Sequence, residues 1–481
     1  MQIVARAVTT ALVCGLAGCA DSPQATATDT RPNVLLISID MLRSDRLSCY
    51  GHTRPTSPAL DRLASEGQVF ETHVSSSSWT LPGHASLFTS LPDSLHGAVD
   101  MDMRIAEGQV TLAERFQSAG WATAGFFSGP FLHPAFGFGQ GFERYQDCTS
   151  YGQALKDAQV QQWTRSVDVE KAAHADITGP RVHAAFAQWL RARDPNQPFF
   201  AFLHLWDVHY DFLPPPPYDT LFDPDYKGPI DGRNFWFDER IRADMNPRDL
   251  QHLLALYDGE IAWTDSWIAR IREDLTAAGV LDNTIVVITS DHGTEFFEHG
   301  AKGHRNTLHE EVVRIPLIVR WPKAIPAGGR VAQQSRSIDV LPTLLELAKL
   351  PPAPEVLGRS LVPLMHNPTA VHPQHAVMEL SSRGRVLRAV RSNQGKLVDS
   401  LHDGRHYWYD LLQDPRELTQ HEDFTSPSGQ ALERAYLDAV REMESHMSVY
   451  PPQHQRTQVP PDVRKSLSQF GYTGEDASAP R

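Results

Sequence analysis

The sequence contains little cysteine, no excess of positive charge, no internal repeat and no long hydrophobic run after residue 18. Lys and Arg number 44 against 58 Asp and Glu, which leaves a formal net charge of -14. This balance argues against nucleic acid, or an anionic membrane surface, as a partner recognised through bulk charge. Because 41% of the 481 residues are hydrophobic, with 10 Trp and 21 Phe, the chain can bury a large core and disorder is excluded.

The N-terminal segment is the one place where a short apolar run stands alone. It carries a single positive charge at Arg6 and ends in Leu16-Ala17-Gly18 before Cys19. A run this short predicts a signal peptide over residues 1–18 and not a membrane span. The residues before Cys19 resemble a bacterial lipobox, in which this Cys is acylated; an ordinary cleaved signal is the alternative. We therefore expect export and a lipid anchor on Cys19 in the bacterial cell envelope, facing the periplasm or in the outer membrane.

Two further cysteines, Cys49 and Cys148, remain in the predicted mature chain. They could pair in an oxidising compartment, but nothing in the sequence places them together. The interpretation we favour is that both are small buried apolar residues. Oligomeric state is not predicted.

Apolar runs and helical patterns alternate along the chain. Continuous apolar runs predict three strands covered on both faces, at residues 33–39, 198–204 and 283–290. Helical patterns occur at residues 57–66, 111–119, 181–193 and 250–278. The alternation predicts an α/β fold with a doubly wound, mostly parallel sheet and with functional residues at the carboxyl ends of its strands.

The C-terminal part has a different pattern. Residues 376–410 contain several short strand-like runs with Gly-containing turns, and a helical pattern follows at 429–447. This predicts a small antiparallel β plus helix subdomain. The predicted organisation is a signal peptide (1–18), a tether (19–30), a catalytic domain (31–370), a C-terminal subdomain (371–450) and a tail (451–481). Residues 212–246 are rich in Pro and aromatics without periodicity, which predicts a long insertion near the site.

Two of the predicted strands end in residues that bind divalent metals. Asp40 follows the first strand, and Asp291 and His292 follow the strand at 283–290. An Asp after a strand is, taken singly, more often a helix N-cap than a ligand. Two carboxylates and an imidazole together suit Mn, Zn or Fe better than the all-oxygen shell that Ca prefers.

A third segment, SSSSWTLPGHASLFTS at residues 75–90, contains a candidate nucleophile. Pro82 and Gly83 predict a turn, and Thr80 is expected at or just before a helix N-terminus. Contact with a metal and the positive end of the helix dipole would both favour the alkoxide of Thr80. The alternative is that Thr80 is only the helix N-cap.

The order of these segments resembles the sulfatase family of the alkaline phosphatase superfamily. The resemblance covers nearly all of residues 31–420 and is carried by eight runs in the family's order. These runs are RPNVLLISIDMLRSDRLSCYGH, SPALDRLASEGQVFETH, WTLPGHASLFTSLPDSLHG, FFAFLHLWDVHYDFLPPPPY, YDGEIAWTDSWI, TSDHGTEFFEHGAKGHRNTLHEEVVRIPLIVRWP, SIDVLPTLLELAKLPP and YWYDLLQDPRELTQ.

The resemblance implies roles for individual residues. It implies that Asp40, Asp291 and His292 are metal ligands and that Thr80 is the metal-bound nucleophile. His209 falls where the family has a His that contacts the ester or its leaving group, and His304 falls where sulfatases place a Lys on the anionic group. An exposed loop histidine is the alternative for both.

The chain departs from the family at three places. Thr80 and His84 stand where sulfatases have the Cys or Ser that becomes formylglycine and an Arg. Oxidation of Thr gives only a ketone, so formylglycine is not expected. Met41 replaces a second Asp, and a Lys and a His expected after a later strand are missing from TAGFFSGPFL. A second metal, held by Asp207, His209 and His304 with His84, could compensate for the lost positive charge.

We therefore predict a metal-dependent hydrolase of an anionic ester of a small molecule, glycan or lipid. Thr80 would attack in line, and His209 would protonate or position the leaving group. Phosphate or phosphonate esters, including phosphodiesters, are favoured over sulfate esters, because a sulfated plain alcohol has no easy exit. The alternatives are a phosphotransferase to an alcohol acceptor and a non-catalytic binding protein that retains the fold.

Overall fold

The computed structural model describes residues 31–149, 178–367, 369–373 and 375–469. Its strands follow in chain order and include several pairs of only two residues. They are β1 (Asn33–Ile39), β2 (Gln68–Phe70), β3 (His73–Val74), β4 (Met103–Arg104), β5 (Ala122–Phe127), β6 (Arg144–Asp147), β7 (Phe199–Leu205), β8 (Thr284–Thr289), β9 (Glu295–Phe296), β10 (Lys302–Gly303), β11 (Arg314–Ile315), β12 (Leu317–Arg320), β13 (Gly329–Val331), β14 (Ser335–Arg336), β15 (Ala376–Ser382), β16 (Arg385–Arg391), β17 (Gly395–Ser400), β18 (Arg405–Asp410) and β19 (Gln455–Arg456).

The helices lie between and after these strands. They are α1 (Pro58–Ser65), α2 (Thr80–Thr89), α3 (Asp93–His96), α4 (Leu112–Ser118), α5 (Gly179–Ala192), α6 (Pro247–Ala277), α7 (Glu310–Val313), α8 (Val340–Leu347), α9 (Val362–His366), α10 (Pro427–Val449) and α11 (Pro461–Gln469). The described residues contain no helix long and apolar enough to cross a membrane.

The main sheet has eight strands in the order β13-β2-β12-β8-β1-β7-β5-β6. Strand β1 pairs in parallel with β7 on one side and β8 on the other. Strand β12 is antiparallel to both of its neighbours, and the remaining pairs are parallel. The predicted α/β fold with a mostly parallel sheet is therefore confirmed.

Alternate residues of β1 belong to two different cores. Val34 and Leu36 pack with residues of α2, α4 and α8, whereas Leu35 and Ile37 pack with residues of α1, α5 and α6. Successive side chains of a strand point to opposite faces, so the sheet is covered by helices on both sides. This explains why β1 is a continuous apolar run without alternation.

The C-terminal part forms a separate antiparallel sheet with the order β15-β16-β17-β18. Helix α10 packs on it through Leu432, Ala435 and Tyr436, which share a core with Leu397 and Trp408. The predicted small antiparallel β plus helix subdomain is confirmed. The predicted domain boundaries remain predictions.

Other sequence-based predictions have different outcomes. Cys49 and Cys148 are not joined by a disulfide. Residues 206–246 contain neither helix nor strand, in line with the predicted insertion. The signal peptide, the tether and the acylated Cys19 lie outside the described residues and remain predictions.

Candidate active site

The carboxyl ends of β1 and β8 bring the predicted site residues together. Asp40 directly follows β1, and Asp291 and His292 come just after β8, its parallel neighbour. Thr80 is the first residue of α2. Its Oγ1 lies 3.5 Å from Oδ2 of Asp40 and 3.3 Å from Nε2 of His292. The three segments singled out in the sequence therefore converge on one point.

The donor atoms of Asp40, Asp291 and His292 all lie within 4.8 Å of one another, and all three residues are buried. Nε2 of His292 is 3.6 Å from Oδ1 of Asp40 and 3.3 Å from Oδ2 of Asp291. Nδ1 of His292 is 2.8 Å from the carbonyl oxygen of Gly293 and must carry the proton that it donates. In a neutral ring, the Nε2 lone pair therefore faces both carboxylates.

Two buried oxygens in this group have no hydrogen-bond partner, namely Oδ1 of Asp40 and Oδ2 of Asp291. Burial raises the pKa of Asp40 to about 6, against the lowering effect of the His292 charge. Buried carboxylate oxygens without partners are costly unless a cation pairs with them. Two carboxylates and one imidazole with its other nitrogen bound to a carbonyl are a fitting donor set for a divalent transition metal.

Gly83 explains how the Thr80 helix comes so close to Asp291. A Cβ at position 83 would lie 2.9 Å from the carbonyl oxygen of Asp291, closer than real Cβ atoms approach. The hydroxyl of Ser75 also donates to that carbonyl oxygen. The Pro-Gly pair, predicted from the sequence to make a turn, lies instead inside α2 and allows close packing.

His84 lies behind Thr80 and uses both ring nitrogens. Nδ1 is 3.0 Å from the carbonyl oxygen of Thr80 and donates to it, and Nε2 is 3.0 Å from Oγ of Ser38, from which it accepts. Burial lowers the pKa of His84 to about 3, so the ring is neutral at neutral pH. These contacts tie the start of α2 to β1. A catalytic role for His84 remains a prediction.

His304 and His209 form a row of rings that leads to the metal donors. The His304 ring stacks on His292 at 4.5 Å, and the His209 ring lies edge-on to His304 at 5.4 Å between centroids. Nδ1 of His209 donates to the carbonyl oxygen of Tyr210 at 2.9 Å. Both predicted histidines therefore lie beside the site and are buried. Their catalytic roles remain predictions.

Burial sets the charge state of His304. It lowers the pKa of this ring far below its usual range, and the charges of neighbouring histidines and arginines lower it further. A neutral ring cannot supply the positive charge that a Lys would provide for an anionic group.

Two arginines not predicted from the sequence supply positive charge near His304. The Arg305 backbone N–H donates to the carbonyl oxygen of Ser78, and its guanidinium lies 4.4 Å from the ring centre of Trp79, the residue before Thr80. Arg383 comes from the turn between β15 and β16 and lies 4.9 Å from the ring of Trp236. Arg305 follows His304 in the chain, whereas no sequence signal points to Arg383.

The insertion at residues 212–246 contacts the segment that carries His304. Nζ of Lys302 donates to the carbonyl oxygens of Phe235 and Ile241 at 2.6 and 2.8 Å. Trp236 packs so closely on Gly303 that a Cβ there would lie 2.6 Å from Cζ2 of the indole. The predicted proximity of the insertion to the site therefore agrees with these contacts.

The predicted second metal centre has no matching group among the described residues. The oxygens of Asp207 accept from Thr178 N, Thr178 Oγ1 and Gly179 N at the start of α5, as a helix cap does. One other group of three potential ligands exists in the described ranges, formed by His299, His309 and Glu311. A second metal held by Asp207 with His209 and His304 remains a prediction.

His299 has the contacts of a charged histidine. Nδ1 is 2.6 Å from Oε1 of Glu311, and Nε2 is 2.9 Å from the carbonyl oxygen of Arg416 in the C-terminal subdomain. Its ring stacks on His309 with centroids 3.7 Å apart and planes 20° apart. Parallel rings direct their lone pairs side by side and not toward a shared ion, so this cluster is an ion pair that joins two parts of the chain.

This ion pair predicts a pH dependence of stability. Burial acts to lower the pKa of His299, but the hydrogen bond and charge of Glu311, with the charge of Glu417 and the Arg416 carbonyl, outweigh it and raise the pKa to about 9. A raised histidine pKa stabilises the folded state fully below the unfolded value of about 6.5, and this stabilisation is lost as pH rises through about 9.

We expect a His299→Gln variant to lose a larger part of its Tm difference from wild type as pH rises from about 6 to about 10. Thermal melts of both proteins at matched ionic strength measure this. A Tm difference that is constant across this range would show that His299 is not charged in the folded protein.

Known proteins share the sequence and the fold described above. The Sulfatase family matches residues 32–350, and a family described as N-sulphoglucosamine sulphohydrolase, C-terminal, matches residues 298–444. An N-acetylglucosamine-6-O-sulfatase of Bacteroides thetaiotaomicron is 26% identical, with 84% of each chain covered.

Two solved structures have the same fold. A phosphonate monoester hydrolase of Agrobacterium radiobacter has a TM-score of 0.72 at 23% identity, covering 86% of this chain and 96% of its own. A protein in complex with its substrate D-glucosamine-2-N,6-O-disulfate has a TM-score of 0.71 at 22% identity, covering 88% of this chain and 99% of its own. Because the family match spans well over half of the residues and includes every predicted metal ligand, the chain belongs to the sulfatase family and is an ester hydrolase.

Proposed function

We propose that this chain is a metal-dependent hydrolase of phosphoric or phosphonic esters in which Thr80 is the nucleophile. The observation that carries the proposal is the position of the Thr80 hydroxyl, within 3.5 Å of both a carboxylate and an imidazole of the donor group. Asp40, Asp291 and His292 would hold the ion. A divalent ion there would stabilise the alkoxide of Thr80 and offset the charge of the ester.

The residues of the chain account for the rest of the reaction. The hydroxyl proton of Thr80 passes to solvent, a loss favoured by the N-terminal end of α2. The Thr80 oxygen then bonds to phosphorus while the bond to the leaving alcohol breaks. His209 as imidazolium donates its Nε2 proton to that alcohol, since Nδ1 is held by the Tyr210 carbonyl. Water attacks the phosphorus, phosphate leaves and Thr80 regains its proton.

Positive charge near the nucleophile supports an anionic substrate. Arg305 stacks on Trp79, next to Thr80, and keeps a fixed charge because guanidinium does not titrate near neutral pH. His304, the neutral neighbour, can serve only as a hydrogen-bond partner. Arg383 on the C-terminal subdomain would extend the positive charge toward the part of the substrate outside the reacting centre.

Phosphorus chemistry is favoured over sulfate chemistry because of the nucleophile itself. A phosphorylated Thr is released by attack of water at phosphorus, whereas formylglycine sulfatases release sulfate through an aldehyde hydrate that Thr cannot form. The second candidate is hydrolysis of a sulfate ester on an amino sugar. It is favoured by the resemblance to an N-acetylglucosamine-6-O-sulfatase over 84% of the chain.

A substrate panel distinguishes the two candidates. The metal-loaded full chain is assayed with nitrophenyl phosphate, bis-nitrophenyl phosphate, a phenylphosphonate monoester, nitrophenyl sulfate and glucosamine-6-sulfate. We expect turnover of at least one phosphorus ester with kcat/KM well above that for either sulfate. Turnover of the sulfates alone would overturn the phosphorus proposal in favour of the second candidate.

We further propose that the chain is exported and anchored through a lipid on Cys19. The support is the apolar run and the Leu-Ala-Gly-Cys sequence of residues 16–19. Labelled fatty acid should be incorporated into the wild-type chain in a bacterial host and not into Cys19→Ser. Equal labelling of both would contradict the anchor.

A further inference from the structure

His204 is a buried imidazole next to the metal donors, to which the sequence assigns no role. It is the sixth residue of β7 and pairs in register with Ser38 of β1, two residues before Asp40. Its side chain is fully buried, and its ring lies 4.9 Å from the ring of His84. Strand pairing therefore places His204 directly beside the carboxyl end of β1.

The proton position on His204 follows from its backbone contact. Nδ1 is 2.7 Å from the carbonyl oxygen of Ser128, which can only accept, so Nδ1 carries a proton and donates it. In the neutral ring, Nε2 then presents a lone pair. A hydrogen bond from the far ring nitrogen to a backbone carbonyl is the arrangement that orients metal-ligating histidines.

That lone pair faces a carboxylate. Nε2 of His204 lies 3.4 Å from Oδ2 of Asp40 and has no hydrogen-bond partner. Two acceptors in contact inside a buried site repel unless a cation lies between or beside them. His84 cannot relieve the contact, because both of its nitrogens are already bound to Ser38 and Thr80.

The distance is compatible with two ligands of one ion. Nitrogen and oxygen ligands lie about 2.0–2.2 Å from a transition metal, so neighbouring donors are separated by about 3 to 4 Å. The contact is with Asp40, so His204 would enter the coordination sphere on the side of that residue. The same strand end offers only one carboxylate, because the next residue is Met41.

We propose that Nε2 of His204 is a fourth protein ligand of the divalent ion held by Asp40, Asp291 and His292. The ligand set would then contain two carboxylates and two imidazoles, which favours Mn, Zn or Fe over Ca or Mg. The inference rests on the proposed metal-dependent function, but it is tested by binding and spectroscopy and not by turnover.

The experiment counts coordinated imidazoles in the full chain. The protein is stripped with a chelator and reloaded with Mn(II), and ¹⁴N electron spin echo modulation reports the histidines bound to the ion. We expect two imidazoles in wild type and one in His204→Gln. The His204→Gln variant should also bind Mn(II) about 10 to 100 times more weakly in competition with a chelator.

A matched control is His73→Gln, which replaces another fully buried histidine, one bound to Oγ of Ser335 and outside the donor group. It should retain two imidazoles and the wild-type Kd. One imidazole in the wild-type spectrum would overturn the inference even if His204→Gln does not fold, and so would two imidazoles in the variant. Failure of wild type to bind any ion would overturn both the inference and the proposed metal-dependent function.

Discussion

Replacing Thr80 by alanine is expected to lower kcat/KM for the preferred ester by about 10⁴-fold, because the attacking oxygen is removed while the metal donors remain. The side chain is small and its hydroxyl contacts only Asp40 and His292, at 3.5 and 3.3 Å, so the fold should be retained. Steady-state assays measure the effect. Intact-mass analysis after incubation with substrate should reveal an adduct of one phosphoryl or sulfuryl group in wild type and none in Thr80→Ala.

The matched control lies at the other end of the same helix. Thr89 is also buried, and its hydroxyl donates to the carbonyl oxygen of Ala85 at 2.7 Å, away from the donor group. Thr89→Ala removes the same atoms and should retain activity within a few-fold of wild type. Thr80→Ser keeps a hydroxyl and should retain part of the activity. An active Thr80→Ala enzyme, or an adduct on another residue, would show that Thr80 is not the nucleophile.

Asp291→Asn is expected to abolish metal binding and with it activity, to about the same extent as loss of the nucleophile. Oδ1 of Asp291 accepts from the backbone N–H groups of Met41 and His292, at 3.4 and 2.9 Å, and an amide oxygen can do the same. At Oδ2, 3.3 Å from Nε2 of His292, the variant can place an amide NH₂ that donates to the ring lone pair and occupies the ligand atom.

Elemental analysis and thermal melts measure this loss. Less than about 0.1 ion per chain is expected in Asp291→Asn, against about one in wild type. Saturating metal should raise the Tm of wild type and not that of the variant, since an ion that binds only the folded state stabilises by about 2.7 kcal/mol at 100 times its Kd.

Asp265→Asn is the control for burial of a carboxylate. Asp265 is buried and accepts from the backbone N–H groups of Ala59 and Leu60, both at 2.8 Å. Its replacement should lower Tm through a lost hydrogen bond and leave the metal content unchanged. Full metal content in Asp291→Asn would exclude Asp291 as a ligand.

Local sequence patterns were sufficient to predict the strands that carry the metal donors. Strand β1 has the predicted bounds, and β7 and β8 differ from prediction by one residue at an end. A strand buried on both faces is a continuous apolar run, and a buried run followed by Asp is visible without any tertiary information. The short strands β2, β12 and β13 have too few residues for such a pattern, and only pairing defines them.

The electrostatics of the site could not be predicted in this way. The sequence shows a loss of the positive charges expected of a sulfatase, but Arg305 and Arg383 come to the site from a loop and from the C-terminal hairpin. Likewise, the proton positions on His292 and His204 depend on the carbonyl oxygens of Gly293 and Ser128. These contacts join residues far apart in the chain, or depend on ring orientation, and neither is written in local periodicity.

Thr80 and its neighbours illustrate the division between the two kinds of information. By itself, the sequence determined the fold class, the strand ends that carry Asp40, Asp291 and His292, and the family, because these depend on local composition and motif order. Only the tertiary structure decided that the Thr80 hydroxyl faces those donors and that Gly83 permits the approach. It also decided that His204 joins them, since parallel pairing of β7 with β1 places this histidine beside Asp40.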